Sequence, residues 1–430
     1  MPASPSLLIV PARFKTGKLY TQIATTSAGL VLGSSGDFNV TRATTATRFN
    51  SAGLIESVAS GVPRLDYYTS GGTAGCPALL VEPTGSNLVV QSQDFSATWA
   101  VAASATVTGI TSPDGTPNAT TFIADSNTDR IRQTITLTSG TTYTYSLFGK
   151  FGALSSGFTM NVFQENATTY GSGVCQAFNL NEGTLGASGT VGAGFTLQSV
   201  GMENYGNGWY RCRMTVLMGY TPATNPRVGF RIGTQISGGI PLSVVSGSVS
   251  AWGAQLETGS VATSYIPTTT ASATRNADVI NLSGAVSGCI GQTEGTLYAE
   301  VDLRNFQVNG RFLAISDGST TNRITMLVTT LSRINVIVTQ GGASQVNIIT
   351  STLSAGVYKV AFAYAANDFV LYVNGTQIGT DTSGVVPACA NLNLGKVESS
   401  SAGGELNDRI RAAALYTTRL TDAQLAALTT

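Results

Sequence analysis

An all-β chain is what the sequence predicts, on three observations. Period-two runs recur from end to end, as where Ile131, Gln133, Ile135 and Leu137 alternate with Arg132, Thr134 and Thr136. The runs come every ~10–20 residues, with Gly, Asn and Pro between them, the spacing of sandwich strands. The 49 glycines, with many Thr, Ser and Val, favour short strands and tight turns. At 430 residues the chain has room for two or three domains. The expected architecture is two β-sandwich (jelly-roll) domains preceded by an extended N-terminal docking segment. The boundaries fall at 1–85, 86–280 and 281–430.

Taken in order, Leu7 to Val10, Lys18 to Tyr20 and Gly29 to Leu32 read as short strands. They are too short to stand alone and need partners elsewhere in the protein or in another subunit. Residues 41–95 follow, a Thr-, Ser-, Gly- and Pro-rich connector that carries Arg42, Arg48, Arg64, Glu56, Asp66 and Glu82. In a chain only 11% charged, such a concentration reads as pairing: the connector arginines and Arg275 against Glu56, Asp66, Glu82 or Asp278, or against backbone carbonyls. Ala46-Thr47-Arg48 recurs as Ala273-Thr274-Arg275, and the two copies bracket the middle domain.

In the middle domain, Tyr143 to Leu147, Phe158 to Phe163, Cys175 to Leu180, Arg227 to Ile232 and Val244 to Leu256 read as strands. Trp209 to Val216 alternates apolar and basic residues. The glycine runs at 171–174 and in the 190s carry no phosphate-binding lysine and read as turns. In the C-terminal domain, strands are expected from Thr296 to Leu303 through Phe369 to Val373, then Leu392 to Val397 and Ile410 to Tyr416. Asn374-Gly375 is a type I′ hairpin signal. Thr421 with Gln424 is a capping box for a short final helix, which Leu420, Leu425 and Leu428 would staple to the sandwich.

The 23 basic and 23 acidic residues cancel, which argues against nucleic-acid binding and against electrostatic membrane attachment. Histidine is absent, which excludes His-based triads and His-ligated zinc. The five cysteines are scattered and read as reduced thiols. No apolar run reaches the ~18 residues a membrane helix needs, and no signal-peptide pattern opens the chain. Synthesis and retention in a cytoplasm, until assembly or release, are therefore expected.

The order of ATR (46–48), GLIE (53–56), PRLDY (63–67), CPALLVEP (76–83) and NLVVQSQDF (87–95) resembles bacteriophage virion proteins of the head-spike, head-fibre and tail-fibre type. The stretch from Trp252 to Thr269 resembles the end of the same module. The frame of NLVVQSQDF, GWYRC and SAWGAQLE is similar to jelly-roll carbohydrate-binding modules. The C-terminal run from Lys359 through Asn374-Gly375 to the final helix resembles the laminin-G and concanavalin A-like lectin fold. These resemblances imply a non-catalytic fibre, spike or capsid-decoration subunit on a virion surface. Such a subunit would bind host-surface or environmental glycans, contact other virion proteins through its N-terminal segment and assemble as a homotrimer. Two alternatives stand beside this: a polysaccharide depolymerase, and a ligand-free capsid cement protein.

Sugar faces use aromatic rings, and Trp99, Tyr143 and Tyr145 are the glycan-binding candidates. Glu300 and Asp302 share a strand face, and the glucanase pattern they resemble would continue with a third acid where Asn305 stands, so no catalytic pair is expected. No cofactor is expected. Calcium is the one ion left open, with Asp317, Asp368, Asp381 and Asp408 near turns but without D-x-D-x-D spacing.

Overall fold

The two ends of the chain lie side by side in one sheet. In the computed structural model, which describes residues 4–24, 30–32, 37–154, 157–166, 169–221, 226–283, 287–306, 309–396 and 404–430, strand Leu7–Ile9 runs antiparallel to Asp408–Tyr416, with Leu7 opposite Leu415. Ala74–Val81 pairs with the other half of that same strand, Leu79 opposite Ile410. Glu294–Leu303 flanks its far side. The result is a ten-stranded sheet.

A nine-stranded sheet packs against it, and here too early residues take part. Phe38–Thr41 pairs with Val279–Ser283, which pairs with Asn391–Leu394. The alternation of Phe38-Asn39-Val40-Thr41 turns Phe38 and Val40 inward and Asn39 and Thr41 outward. The shared core holds Leu7, Ile9, Leu19, Phe38, Val40, Leu79 and Val81 together with Phe312, Ile324, Phe362 and Leu415. Residues 1–85 are thus no separate segment in front of the sandwich: strands Leu7–Ile9, Phe38–Thr41 and Ala74–Val81 belong to its sheets, while Ala46–Phe49 and Ile55–Val58 pair as a hairpin of their own. Gly29 and Val397, the ends of two expected strands, lie outside the described residues.

Asn374 and Gly375 both take positive φ, 48° and 78°, as a type I′ turn requires. The final helix, Asp422–Thr429, carries the expected capping box between Thr421 and Gln424. It packs Leu425, with Leu420 ahead of it, onto Tyr298, Tyr372 and Tyr416 on the outer face of the ten-stranded sheet.

The middle module is a second sandwich of two six-stranded sheets around its own core, including Phe122, Tyr145, Met160, Phe230 and Leu256. Its entry and exit strands, Gly85–Asn87 and Ala273–Arg275, pair with each other, with Ser86 opposite Thr274. The module is therefore an insertion, carried on a two-stranded neck, within the larger sandwich. Strands Thr184–Val191 and Phe195–Asn204 have no counterpart in the sequence reading. Their Gly, Ser and Thr content and mainly exposed or half-buried side chains blur the alternation. Gly171 to Val174 lies inside strand Thr169–Asn179 rather than in a turn. Glycine suits it there because a Cβ on Gly173 would come within 2.5 Å of Phe163.

The neck is held by buried charge. Asp278 accepts from Arg42 Nη1 at 2.8 Å, from Glu82 N at 3.1 Å and from the Arg64 guanidinium. Arg64 Nη1 also reaches Glu82 at 2.5 Å, and Arg275 lies 3.6 Å from Glu82. All five side chains are buried. Burial pushes the Glu82 carboxyl up, but Arg64, Arg275 and Ser264 outweigh it and hold it well below the usual range. Asn87, also buried, donates to Ala254 O and Ile266 O and accepts from Val89 N and Leu256 N. That fills both sides of its amide and stitches the neck into the module.

Candidate functional site

The three aromatic candidates are interior residues. Trp99 and Tyr143 are 5% exposed and Tyr145 is 0% exposed, all within the core of the inserted module. The Tyr143 hydroxyl accepts from Thr138 N at 2.9 Å, and Trp99 Nε1 donates to Gln91 O at 3.2 Å. The two tyrosines present no ring face to solvent, so they are corrected from ligand contacts to core packing. Trp99 packs on Phe95 and lines a pocket of about 350 Å³ with Phe122 and Val101, with only its margin accessible.

The acidic candidates are already engaged. Arg304 grips Asp302 with two bonds, 3.0 and 2.9 Å, and Arg411 lies 3.4 Å from Asp302 and 4.0 Å from Glu300. Asp317 caps a turn, where bonds from Ser319 and Asn322 hold its carboxyl below the usual range. Asp381 accepts from Ser383 N at 2.9 Å, and Asp368 pairs with Arg419 at 3.0 Å. Among the described residues no cluster of three or more metal-ligating side chains forms.

What the fold does bring together is a groove where the inserted module leans on the larger sandwich. It has a volume of about 460 Å³ and is lined by Arg213, Ser260, Arg304, Asn305, Phe306, Thr330 and Ser332. Arg213 comes from the module strand Trp209–Met218. Cys212, Met214 and Val216 of that strand enter the core, so Trp209, Arg211, Arg213 and Thr215 face the sandwich. Arg304 to Phe306 form the corner after strand Glu294–Leu303. Buried Asp408 fixes that corner: it accepts from Arg304 N at 3.0 Å, Asn305 N at 3.0 Å and Asn305 Nδ2 at 3.3 Å. Burial pushes its carboxyl up to about 8 against those donors.

Beneath the groove lies an aromatic floor. Tyr68 and Tyr205 rings are 4.8 Å apart, and Tyr205 meets Phe148 at 4.9 Å. Arginines lie over it: Arg304 at 4.8 Å and Arg409 at 5.2 Å from the Tyr68 centroid, Arg211 at 5.4 Å from Phe148. Arg409 is held by Asp66 at 2.7 Å. The groove offers guanidinium and hydroxyl groups beside the half-buried ring of Phe306. That set can hydrogen-bond a polyhydroxylated ligand while covering one apolar face of it. Sequence reading noted the alternation around Arg211 and Arg213 and the run ending at Asn305, but assigned neither to a site.

The outward face of the nine-stranded sheet is a weaker candidate. Its row of Ala314, Thr325 and Asn393 is polar in part but buried throughout.

The profile of the Concanavalin A-like lectin/glucanases superfamily matches residues 274–426. No curated protein matches the chain. Among solved structures, the chain is similar to the CBM40 of the Ruminococcus gnavus IT-sialidase bound to α2,3-sialyllactose: 15% identity over 34% of this chain and 88% of that one, TM-score 0.31. It is also similar to the NanB sialidase of Streptococcus pneumoniae, as the K499G mutant: 13% identity over 34% and 26% of the two chains, TM-score 0.29. A third is the heptameric SAP-like pentraxin of Limulus polyphemus: 16% identity over 32% and 70%, TM-score 0.26.

Proposed function

We propose that this chain is a non-catalytic, glycan-binding subunit on the surface of a phage particle, a fibre, spike or decoration protein that assembles as a homotrimer. The virion part of the reading rests on the ordered run of motifs from Ala46 to Phe95. The glycan part rests on the lectin-like profile across 274–426 and, above all, on one observation. A groove of about 460 Å³ sits between the two sandwiches, with Arg213, Arg304, Asn305, Thr330 and Ser332 around the Phe306 ring. Pockets between packed modules are common ligand sites, and this one combines an apolar surface with convergent polar side chains. Binding without chemistry fits the acids present, because Glu300 and Asp302 are tied to arginines rather than free to act as a carboxylate pair.

Screening the full chain on a glycan array, beside Phe306→Ala and Arg213→Ala, tests the binding. The expected result is a defined set of glycans whose signal both substitutions remove. Binding that survives both changes but is lost in Trp99→Ala would move the site to the pocket of the inserted module. No binding at all would favour the cement-protein reading. Immunolabelling of intact particles tests the virion reading, and particles without label would refute it.

A further inference from the structure

Below the groove, and sharing Arg304 and Asn305 with it, lies a smaller cavity of about 50 Å³. It sits where the connector, the inserted module and the larger sandwich meet. Its wall is rich in cations: Arg48, Arg211, Arg304 and Arg409. Three of these are paired, Arg48 with Glu56 at 2.6 Å, Arg304 with Asp302 and Arg409 with Asp66.

Arg211 is different. It is 4% exposed, and its side chain bonds only uncharged partners, Ser146 Oγ at 3.1 Å and Tyr205. No carboxylate of the described residues comes within 4.0 Å of it, Glu203 and Glu257 acting on it only from farther off, and its Nε has no partner. Asn407, 2% exposed and on the same wall, has an unpartnered Nδ2. A buried guanidinium N–H and a buried amide N–H without acceptors are both costly.

The carboxylates on the wall do not answer them. Asp66 is taken by Arg409, Phe49 N and Tyr68 N. Glu82 is taken by Arg64 and by Ser264 N and Oγ. Glu203 lies 3.9 Å from Arg213 Nε. Two orphaned donors, one of them charged, therefore face a space the size of a single small group.

We infer that this cavity is an oxyanion subsite, filled by a carboxylate or sulfate that accepts from Arg211 and Asn407. It rests on the glycan reading of the groove above it and narrows the ligand to an acidic sugar, with the ring in the groove and the acid in the cavity. An oxyanion is the occupant the donors select: both orphaned valences are N–H, one of them on a guanidinium, and such donors bond most strongly to a charged acceptor.

Calorimetric titration of the full chain, at constant ionic strength, tests this with three probes: glucuronate, glucose and inorganic sulfate. Two variants accompany the wild type, Arg211→Met and Asn407→Asp, each checked for an unchanged melting profile. Asn407→Asp is nearly isosteric, so it keeps the test open if Arg211→Met fails to fold. Glucuronate should bind more tightly than glucose, and either variant should weaken it at least ~tenfold, the worth of one charge-assisted hydrogen bond, without affecting glucose. Sulfate bound as tightly as glucuronate, and lost in both variants, would keep the subsite and assign it to a free oxyanion. Glucose and glucuronate binding alike would overturn the subsite and leave the glycan reading intact. Sulfate binding with no sugar binding would overturn the glycan reading alone. Acid binding unchanged in both variants would place the anion elsewhere and refute the inference.

Discussion

Asp278→Asn is the most direct test of the idea that buried charge locks the inserted module's neck into the larger sandwich. Wild type buries three guanidinia, Arg42, Arg64 and Arg275, against two carboxylates, Glu82 and Asp278. The substitution keeps the side chain's shape and removes one of the two negative charges. Arg64 retains Glu82, but Arg42 loses its only carboxylate within 4.0 Å among the described residues. Breaking a buried pair by removing one partner costs about 3–5 kcal/mol, because the surviving charge stays desolvated. In a domain of this size 1 kcal/mol moves Tm by ~2–4 °C, so a fall of about 10 °C is expected. Scanning calorimetry is the assay, because two sandwiches with separate cores can melt separately. The larger sandwich's transition should fall while that of the inserted module holds. Adding Arg42→Met to Asp278→Asn should recover ~1 kcal/mol or more, since it removes the stranded charge. A fall below ~2 °C in the single variant, or strict additivity in the double, would refute the locking role.

Two further outcomes follow from the same architecture. A fragment of residues 281–430 should be insoluble, because it lacks Leu7, Ile9, Phe38, Val40, Leu79 and Val81 from its core and leaves one edge of Asp408–Tyr416 bare. A chain in which a two-residue Asn-Gly turn joins Asn87 to Ala273 should stay monodisperse and β-rich, and circular dichroism with gel filtration checks both. Stability should also depend on pH through Asp408. Its folded-state pKa is raised to about 8, so from roughly pH 4 to 8 the folded protein holds a proton that the unfolded chain has released. Stability therefore falls as pH rises through that window and levels off above it. Asp408→Asn should flatten the Tm profile between pH 5 and 8, and an unchanged slope would exclude Asp408 as the source.

Much of the local structure was legible because it is set by neighbours in sequence. The Asn374-Gly375 turn, the Thr421–Gln424 cap and most strands of both sandwiches follow from propensity and period. The connector arginines were legible too, since scarce charges gathered in a polar stretch must find each other. What sequence does not carry is the partner of a strand. Leu7 pairs with Leu415 across almost the whole chain, and alternation in either run says which face is buried but not against what. The aromatic candidates misled for a related reason. Tyr143 and Tyr145 sit in a strand where Thr144, Ser146 and Phe148 on the other face are buried as well, so period two could not tell core from surface. Arg211 and Arg213 had the opposite problem. Their alternation with Cys212 and Met214 was visible, but its meaning depends on a second sandwich standing opposite.

That dependence explains why the groove and its cavity are absent from any linear motif. The lectin-like profile begins at residue 274, on the return strand of the neck, yet the sandwich it describes takes strands from residues 7 to 81 as well. An insertion has divided one domain in sequence without dividing it in space. The paired neck strands leave the sandwich side by side, so the inserted module returns to the place it left and comes to lie beside the Arg304–Phe306 corner. The cavity wall then draws on four regions of sequence, around Arg48 and Asp66, Glu203 to Arg211, Arg304 and Asn305, and Asn407 to Arg409. No stretch of the chain holds more than a part of it. The neck charges and Asp408 act at one remove from any ligand. They fix where the two sandwiches meet, and with that they set whether Arg211 and Asn407 face a common space.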